Sequence, residues 1–471
     1  MTECNVPQLQ FVGIGSRRVV ADFLAERTTT DGGVLLPREV AERIGLFDRI
    51  AACFDDRRVP HRIEHSVREL VAQRILGIVC GYEDLNDHDR LRDDPLLALA
   101  SGKKDPMGQQ RARKRDRGHG GAGRSTLNRL ELTPELHDPN ERYKKIRYDG
   151  DAIESLFVEL FQDAHDEPPE MIVLDVDATD DAIHGKQDGR FYHGYYRSYC
   201  YLPLYVTCDD FLLASQLNSA GTDPAVFAVN ELDRIVRQIR QQWPLTEIII
   251  RGDSGFARED LMAWCESNEL HYVLGMAKND RLKAAIAHEL EQVRQETEET
   301  GMPARRFRDF QYRTLKSWSR ERRLVGKAEQ LPAKSNPRFV VTSLEPDRLD
   351  ARALYEDLYC ARGDMENRIK ESQLDLFADR TSAATMRANQ LRLWFSSLAY
   401  VLLNEVRRVG LKGTKMQRAQ CGTIRTRLLK IGGLVTVSVR RLYVSMSCAF
   451  PLQELFAMAL ANIQAAYPLR C

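Results

Sequence analysis

Residues 170–181 read EMIVLDVDATDD. A run of strand-forming apolar residues leads straight into Asp175, Asp177, Asp180 and Asp181, four acids within seven positions. Carboxylates gathered this closely repel one another and raise each other's proton affinity, so a strand that ends in them points to a cation or to chemistry. Side chains alternate along a strand, and Asp175 and Asp177 therefore share a face. The structural alternative is a turn or helix cap just past the strand, which suits Asp180 or Asp181. The stretch alone leaves open which of Asp175, Asp177 and Asp180 is a ligand.

Working outward, residues 191–210 (FYHGYYRSYCYLPLYVTCDD) and 211–219 (FLLASQLNS) alternate like two antiparallel strands joined by a tight turn at Asp209 and Asp210. An amphipathic helix follows in 223–243, then a buried strand in TEIIIRGD (246–253), a helix in 257–268 and a strand in HYVLGMA (271–277). Three antiparallel strands, a helix, a strand, a helix and a strand make a mixed five-stranded α/β order, the ribonuclease-H-like arrangement. Residues 146–280 hold its first part. Residues 281–345 interrupt it as a β-rich basic insertion, with eleven Lys/Arg against three acids between Pro303 and Arg338. Helices return in 346–410.

Residues 1–145 read as mostly helical, with apolar steps of three and four in PREVAERIGLFDRIAACF (37–54) and HSVRELVAQRILGIVCGYEDL (65–85). Within them, 101–125 carries eight Lys/Arg, two Asp and six Gly, and predicts a flexible basic loop too polar to pack. It runs into STLNRLE (125–131), where Ser125 or Thr126 could cap a short helix with Asn128 and Arg129 in its first turn. His61 and His65 lack a third metal ligand nearby and read as surface histidines. The last segment, 411–471, mixes a basic stretch with one expected strand in 434–446 and is a candidate for dimerisation.

Lys+Arg and Asp+Glu are both 68, which argues against a chain that is basic throughout but leaves local basic patches open. Ten cysteines without a C-x-x-C pair argue against a disulfide scaffold or structural zinc and suit a reducing cytoplasm. The first ten residues lack the pattern of a signal peptide, and no apolar run is long enough for a membrane span.

Asp253 follows the second buried strand, in EIIIRGDSGF (247–256). If strands one and four are neighbours, their ends bring Asp177 and Asp253 together, and two such carboxylates suit Mg²⁺. A rival pattern is also present. D-x-D-x-T across 175–179 matches the nucleophile strand of haloacid-dehalogenase-like phosphatases, with Asp175 as nucleophile. The partner motif fails, because its second acid would fall at Ala257. A third acid for the first reading comes from YCARGDMENRIK (359–370): Tyr359, Arg362, Glu366 and Lys370 are spaced three, four and four, one face of an α-helix. Plain surface ion pairs would give the same stripe.

Together these motifs resemble the DDE transposases of bacterial insertion sequences, in the group with a Y-x2-R-x3-E signature and a β-rich insertion in the catalytic core. DATDD supplies Asp177, RGDSGF supplies Asp253, and the last motif supplies Tyr359, Arg362 and Glu366. The head region, in TTTDGGVLLPREV, GYEDLNDHDRLRDDP and STLNRLE, resembles the N-terminal domain of one branch of that group. The resemblance implies that Asp177, Asp253 and Glu366 hold two Mg²⁺ ions, for which Mn²⁺ can substitute, and cut and rejoin double-stranded DNA at terminal inverted repeats. It further implies a homodimer on paired ends in the bacterial cytoplasm, with the N-terminal region reading the repeats through Asn128 and Arg129. Trp318 would stack on a flipped base, and Arg305, Arg306, Arg320, Arg322, Arg323, Arg362 and Lys370 would meet phosphates, with Tyr359 beside them. One departure stands out: the wider group has Lys seven residues after the Glu, where this chain has Gln373, and Lys370 could substitute. A DNA-binding regulator that no longer cuts is the alternative from another functional class.

Overall fold

The stretch at 170–181 forms strand β1 (Met171–Ala178), at the heart of a nine-stranded sheet. The structure, a computed structural model, describes residues 9–14, 16–21, 27–136, 138, 141–438 and 440–468. Strands β2 (Leu204–Cys208) and β3 (Phe211–Gln216) form a hairpin turned by Asp209 at φ 50°, a left-handed conformation that Asp tolerates. Strands β4 (Glu247–Gly252) and β5 (His271–Met276) complete the order β3-β2-β1-β4-β5. β1, β4 and β5 are parallel, and β2 runs antiparallel to both β1 and β3.

The period of two then divides the sheet into two chemically different faces. Ile172, Leu174 and Val176 of β1, with Ile248 and Ile250 of β4, are buried in one core with Leu232, Ile235 and Ile239 of the helix Pro224–Gln242 and Leu261, Met262 and Cys265 of the helix Glu259–Ser267. Asp175, Asp177, Ile249 and Arg251 fall on the opposite face. There Ile249, Val273, Val325 and Val340 pack against Leu354 and Tyr355, so residues 351–375 lie across the acid-bearing side. Those residues are helical throughout but not uniformly α. The turn widens to a π-helix at Leu354–Tyr359, tightens to 3₁₀ at Cys360–Arg362, returns to α at Gly363–Lys370 and widens again at Glu371–Asp375. The expectation of a regular α-helical stripe is corrected to this extent.

The 281–345 segment is not β-rich from its start: Ala287–Thr300 is a helix, and only then come β6 (Ala304–Tyr312), β7 (Arg322–Leu331) and β8 (Arg338–Thr342). These strands continue the same sheet beyond β5 in the order β8-β7-β6, all antiparallel. Residues 191–201 also depart from expectation. They leave the main sheet: Ser198–Tyr201 is the central strand of a small sheet of their own, paired with Phe191–His193 on one side and Asp181–Ala182 on the other.

The N-terminal helices Leu35–Arg43, Leu46–Ala52 and Val67–Val79 share one hydrophobic core with Gly150–Asp163, Met386–Glu405 and Gln453–Ala466. Ser66 caps Val67–Val79 in a capping box with Glu69. The 434–446 stretch is two strands, Gly433–Val437 and Leu442–Met446, with the first paired to Thr28–Thr29. The loop at 101–125 is packed rather than free. Ala122 exchanges two 2.8 Å hydrogen bonds with the buried Gln73 amide, and a methyl on Gly108 would stand 2.2 Å from the His119 carbonyl oxygen. Its glycines permit close approach, which composition alone reads as flexibility. Among the described residues no helix is long and apolar enough to cross a membrane.

Candidate active site

Parallel pairing of β1 with β4 places Gly252 opposite Val176, so one further step brings Asp253 beside Asp177 at the shared end of the two strands. Both line one cleft. Asp253 turns the chain as well, accepting the Gly255 amide at 2.8 Å. Asp175, on the same face of β1, is committed elsewhere. Its carboxylate is 3% exposed and takes a bidentate pair from Arg251, 2.5 and 2.6 Å, and Arg251 also donates to the Leu358 carbonyl at 2.5 Å. Arg251 thereby ties β1 to the helical segment above it. The Asp180 carbonyl accepts from Gln373 at 3.2 Å.

The overlying segment supplies the third acid. Arg362 donates to Asp177 at 3.2 Å and to Glu366 at 2.6 Å, four residues on, so one guanidinium bridges the strand acid and the helix acid. Burial pushes the Asp177 carboxyl up to about 6, against the pull of Arg362 and with the help of Asp253 and Glu366. Tyr359 lies over Gly275, where a methyl would stand 2.4 Å from its hydroxyl oxygen. Burial raises the Tyr359 phenol above its ordinary value. A cleft of about 300 Å³ beside it is lined by Ser254, Lys278 and Arg338. Lys278 and Arg338 are exposed, and neither has an ion pair among the described residues. Sequence patterns did not single them out, since each follows or opens a strand as one basic residue among many.

Lys370 is exposed at the end of Gly363–Lys370, away from any ion pair among the described residues. Gln373, at the position where the resembled group has Lys, donates to the buried Asp181 at 3.1 Å and so fastens the helical segment to the β1 terminus.

Several expected DNA contacts are used within the protein. Trp318 is 4% exposed, edge-on to Tyr312 at 5.8 Å and beneath the Arg322 guanidinium, so its ring is not presented for stacking. Arg322 is buried between Glu259 and Glu266, both 2.7 Å away. Arg323 is buried on Asp309 and on the carbonyls of Leu344 and Leu349. Arg320, Arg305 and Arg306 are exposed but paired with Glu266, Glu356 and Glu296 respectively. Asn128 and Arg129 are exposed on the helix Arg124–Glu131, whose N-cap is Gly123 rather than Ser125 or Thr126. Arg129 lines a wide cleft of about 630 Å³ with Arg58, Arg62, Arg92, Arg111 and Arg113. His61 is exposed, whereas His65 is buried with its Nε2 2.6 Å from Arg111, which corrects its reading as a surface residue.

Asp177, Asp253 and Glu366 offer oxygen donors only, the kind that Mg²⁺ and Mn²⁺ prefer. Their chemistry fits a divalent ion, but a cation already stands among them. With Arg362 paired to two of the three, no group of three Asp, Glu, His or Cys side chains among the described residues is placed to hold a metal. No curated protein matches the chain. A family model described as transposase DDE domain, group 1, matches residues 11–468, and the chain belongs to that family.

Proposed function

We propose that this DDE transposase cuts DNA at the inverted repeats of its own insertion sequence and joins the freed ends to new DNA, with Asp177, Asp253 and Glu366 as the catalytic carboxylates. The observation that carries the reading is their arrangement: two parallel strand ends bring Asp177 and Asp253 into one cleft, and Arg362 of the crossing helical segment bridges Asp177 to Glu366. The five strands β1 to β5 with the helices on one face then form a ribonuclease-H-like core, and 281–345 extends its edge. Asp177, Asp253 and Glu366 would hold two Mg²⁺ ions, or Mn²⁺ in their place. Bound there, the ions supply activation of water or a 3′-hydroxyl and neutralisation of the leaving oxygen.

The chain's own groups account for the rest. Arg362 and the metal make competing claims on Asp177 and Glu366, so Arg362 turns outward on loading, toward a phosphate of the bound strand. Lys278 and Arg338, exposed beside Tyr359 and without an ion pair among the described residues, hold the phosphates next to it. Asn128, Arg129 and the arginine-lined N-terminal cleft bind the repeat, largely through its backbone. Two copies act on two ends as a homodimer, at the bacterial nucleoid. The phosphatase alternative needs Asp175 as nucleophile, and that carboxylate is sealed against Arg251. A metal-dependent nicking assay on duplexes carrying the element's terminal repeats tests the assignment. Asp177→Ala, Asp253→Ala and Glu366→Ala should each abolish cutting while duplex binding persists. Cutting that survives any one of them would overturn it.

A further inference from the structure

Residues 191–201 carry six aromatic side chains in eleven positions, and most of them face outward. Phe191 is 52% exposed, Tyr192 50%, Tyr195 83% and Tyr199 47%, while Tyr201 and Tyr205 are wholly buried. Exposed aromatics in such density mark a contact surface. The surface is held in place. The Gln187 amide donates to the Thr381 carbonyl at 3.1 Å, the Asp188 amide to the Ala384 carbonyl at 3.0 Å, and the Tyr201 hydroxyl to the Asp188 carbonyl. Gln373 secures Asp181, at the foot of the small sheet, to the same helical segment that carries Glu366.

Its position and charge indicate the occupant. His193, Tyr195 and Tyr196 line one cleft of about 180 Å³ together with Asp177 and Asp253. Within 183–201 the sequence interleaves Lys186, Arg190 and Arg197 with the rings and has one acid, Asp188; Arg190 lies 4.7 Å over the Tyr199 ring, while the acids Asp177, Asp223 and Asp253 line the adjoining cleft. A platform of π-faces with interleaved cations takes single-stranded nucleic acid, whose bases expose the faces that a duplex hides. Trp318, the residue that the sequence suggested for this task, is buried.

Resting on the strand-cutting reading above, we infer that the hairpin at 183–201 is a stacking platform for unpaired nucleobases of the DNA end, beside the bond that is cut. Tyr195 and Phe191 take the bases, and Arg190 and Arg197 take the adjoining phosphates.

The test uses the full chain. Tyr195→Ala and Phe191→Ala are compared with the parent for affinity to a short fluorescent oligothymidylate. They are also compared for cutting of a terminal-repeat duplex, either fully paired or mismatched around the scissile bond. Each variant should lose about ten-fold in oligothymidylate affinity. Each should slow cutting of the paired duplex by a similar factor, and the mismatched duplex should restore most of that loss. Unchanged oligothymidylate affinity, or equal slowing on both duplexes, overturns the proposal. So does a loss of dimer in sedimentation with strand affinity intact, which would assign the surface to a second copy of the chain. Asp253→Asn separates the two readings. It should stop cutting of both duplexes and leave oligothymidylate binding as it was, and if it still cuts, the acid assignment fails while the binding measurement still decides the platform.

Discussion

Removing the Asp175 carboxylate should unfold the protein more readily without touching the chemistry directly. Asp175 and Arg251 are 3% and 7% exposed, with two short charge-assisted hydrogen bonds between them, and Arg251 also holds the Leu358 carbonyl. In Asp175→Ala a buried guanidinium loses its counter-charge, a change that costs about 3–5 kcal/mol. With a urea dependence of about 3 kcal/mol per molar, the unfolding midpoint falls by roughly 1–1.7 M. Arg251→Met should cost as much, since it strands the carboxylate instead. The double variant Asp175→Leu with Arg251→Met should lose less than the sum by at least about 2 kcal/mol, because neither buried charge remains. Urea unfolding followed by tryptophan fluorescence measures all three. A loss under about 1 kcal/mol for Asp175→Ala would refute the structural role. A stable Asp175→Ala protein as inactive in strand cutting as Asp177→Ala would refute it differently, by making Asp175 the reacting acid.

Asp177 titrates near 6 in the folded chain against about 3.9 unfolded, so the native state keeps a proton that the unfolded chain has released. Metal-free stability should therefore fall as pH rises from about 4 to about 6 and then level, and Asp177→Asn should flatten that slope; thermal melts in EDTA would show a rise instead if the reasoning is wrong. Arg362→Ala removes the cation that occupies the acids, and Mn²⁺ should then bind the DNA-free protein about five-fold more tightly by calorimetry, the effect of about 1 kcal/mol between unit charges near 4 Å. Weaker binding would make Arg362 a support for the metal rather than its competitor. Trp318→Ala should lose about 3–5 kcal/mol of stability with DNA affinity of the folded protein unchanged; the reverse pattern would return Trp318 to the DNA surface. Gly275→Ala places a methyl 2.4 Å from the Tyr359 hydroxyl oxygen, so it should slow cutting about ten-fold while duplex binding persists, and Tyr359→Phe in the same chain should recover part of that loss. Equal rates for Gly275→Ala and the parent would show that Tyr359 is not positioned through this contact.

What the amino-acid order determined by itself is what depends on neighbours a few residues apart. The alternation in MIVLDVDA assigns Asp175 and Asp177 to one face of their strand, and the spacing from Tyr359 to Glu366 sets a helical row of polar groups. Those periods survive into the fold even where the helix widens at Leu354–Tyr359. Only the tertiary structure decided which charges are spent and which are free. Arg322 looks like Lys278 or Arg338 in sequence, yet it is buried by Glu259 and Glu266, 63 and 56 residues away, while the other two have no ion pair among the described residues. Likewise Asp175 and Asp177 sit two positions apart on the same face. One is closed off by Arg251 from the next strand, and the other is left in the cleft with Asp253. Side-chain direction is a local consequence of backbone geometry, whereas a partner for a charge comes from wherever the chain returns, and that return is set by packing of the whole core.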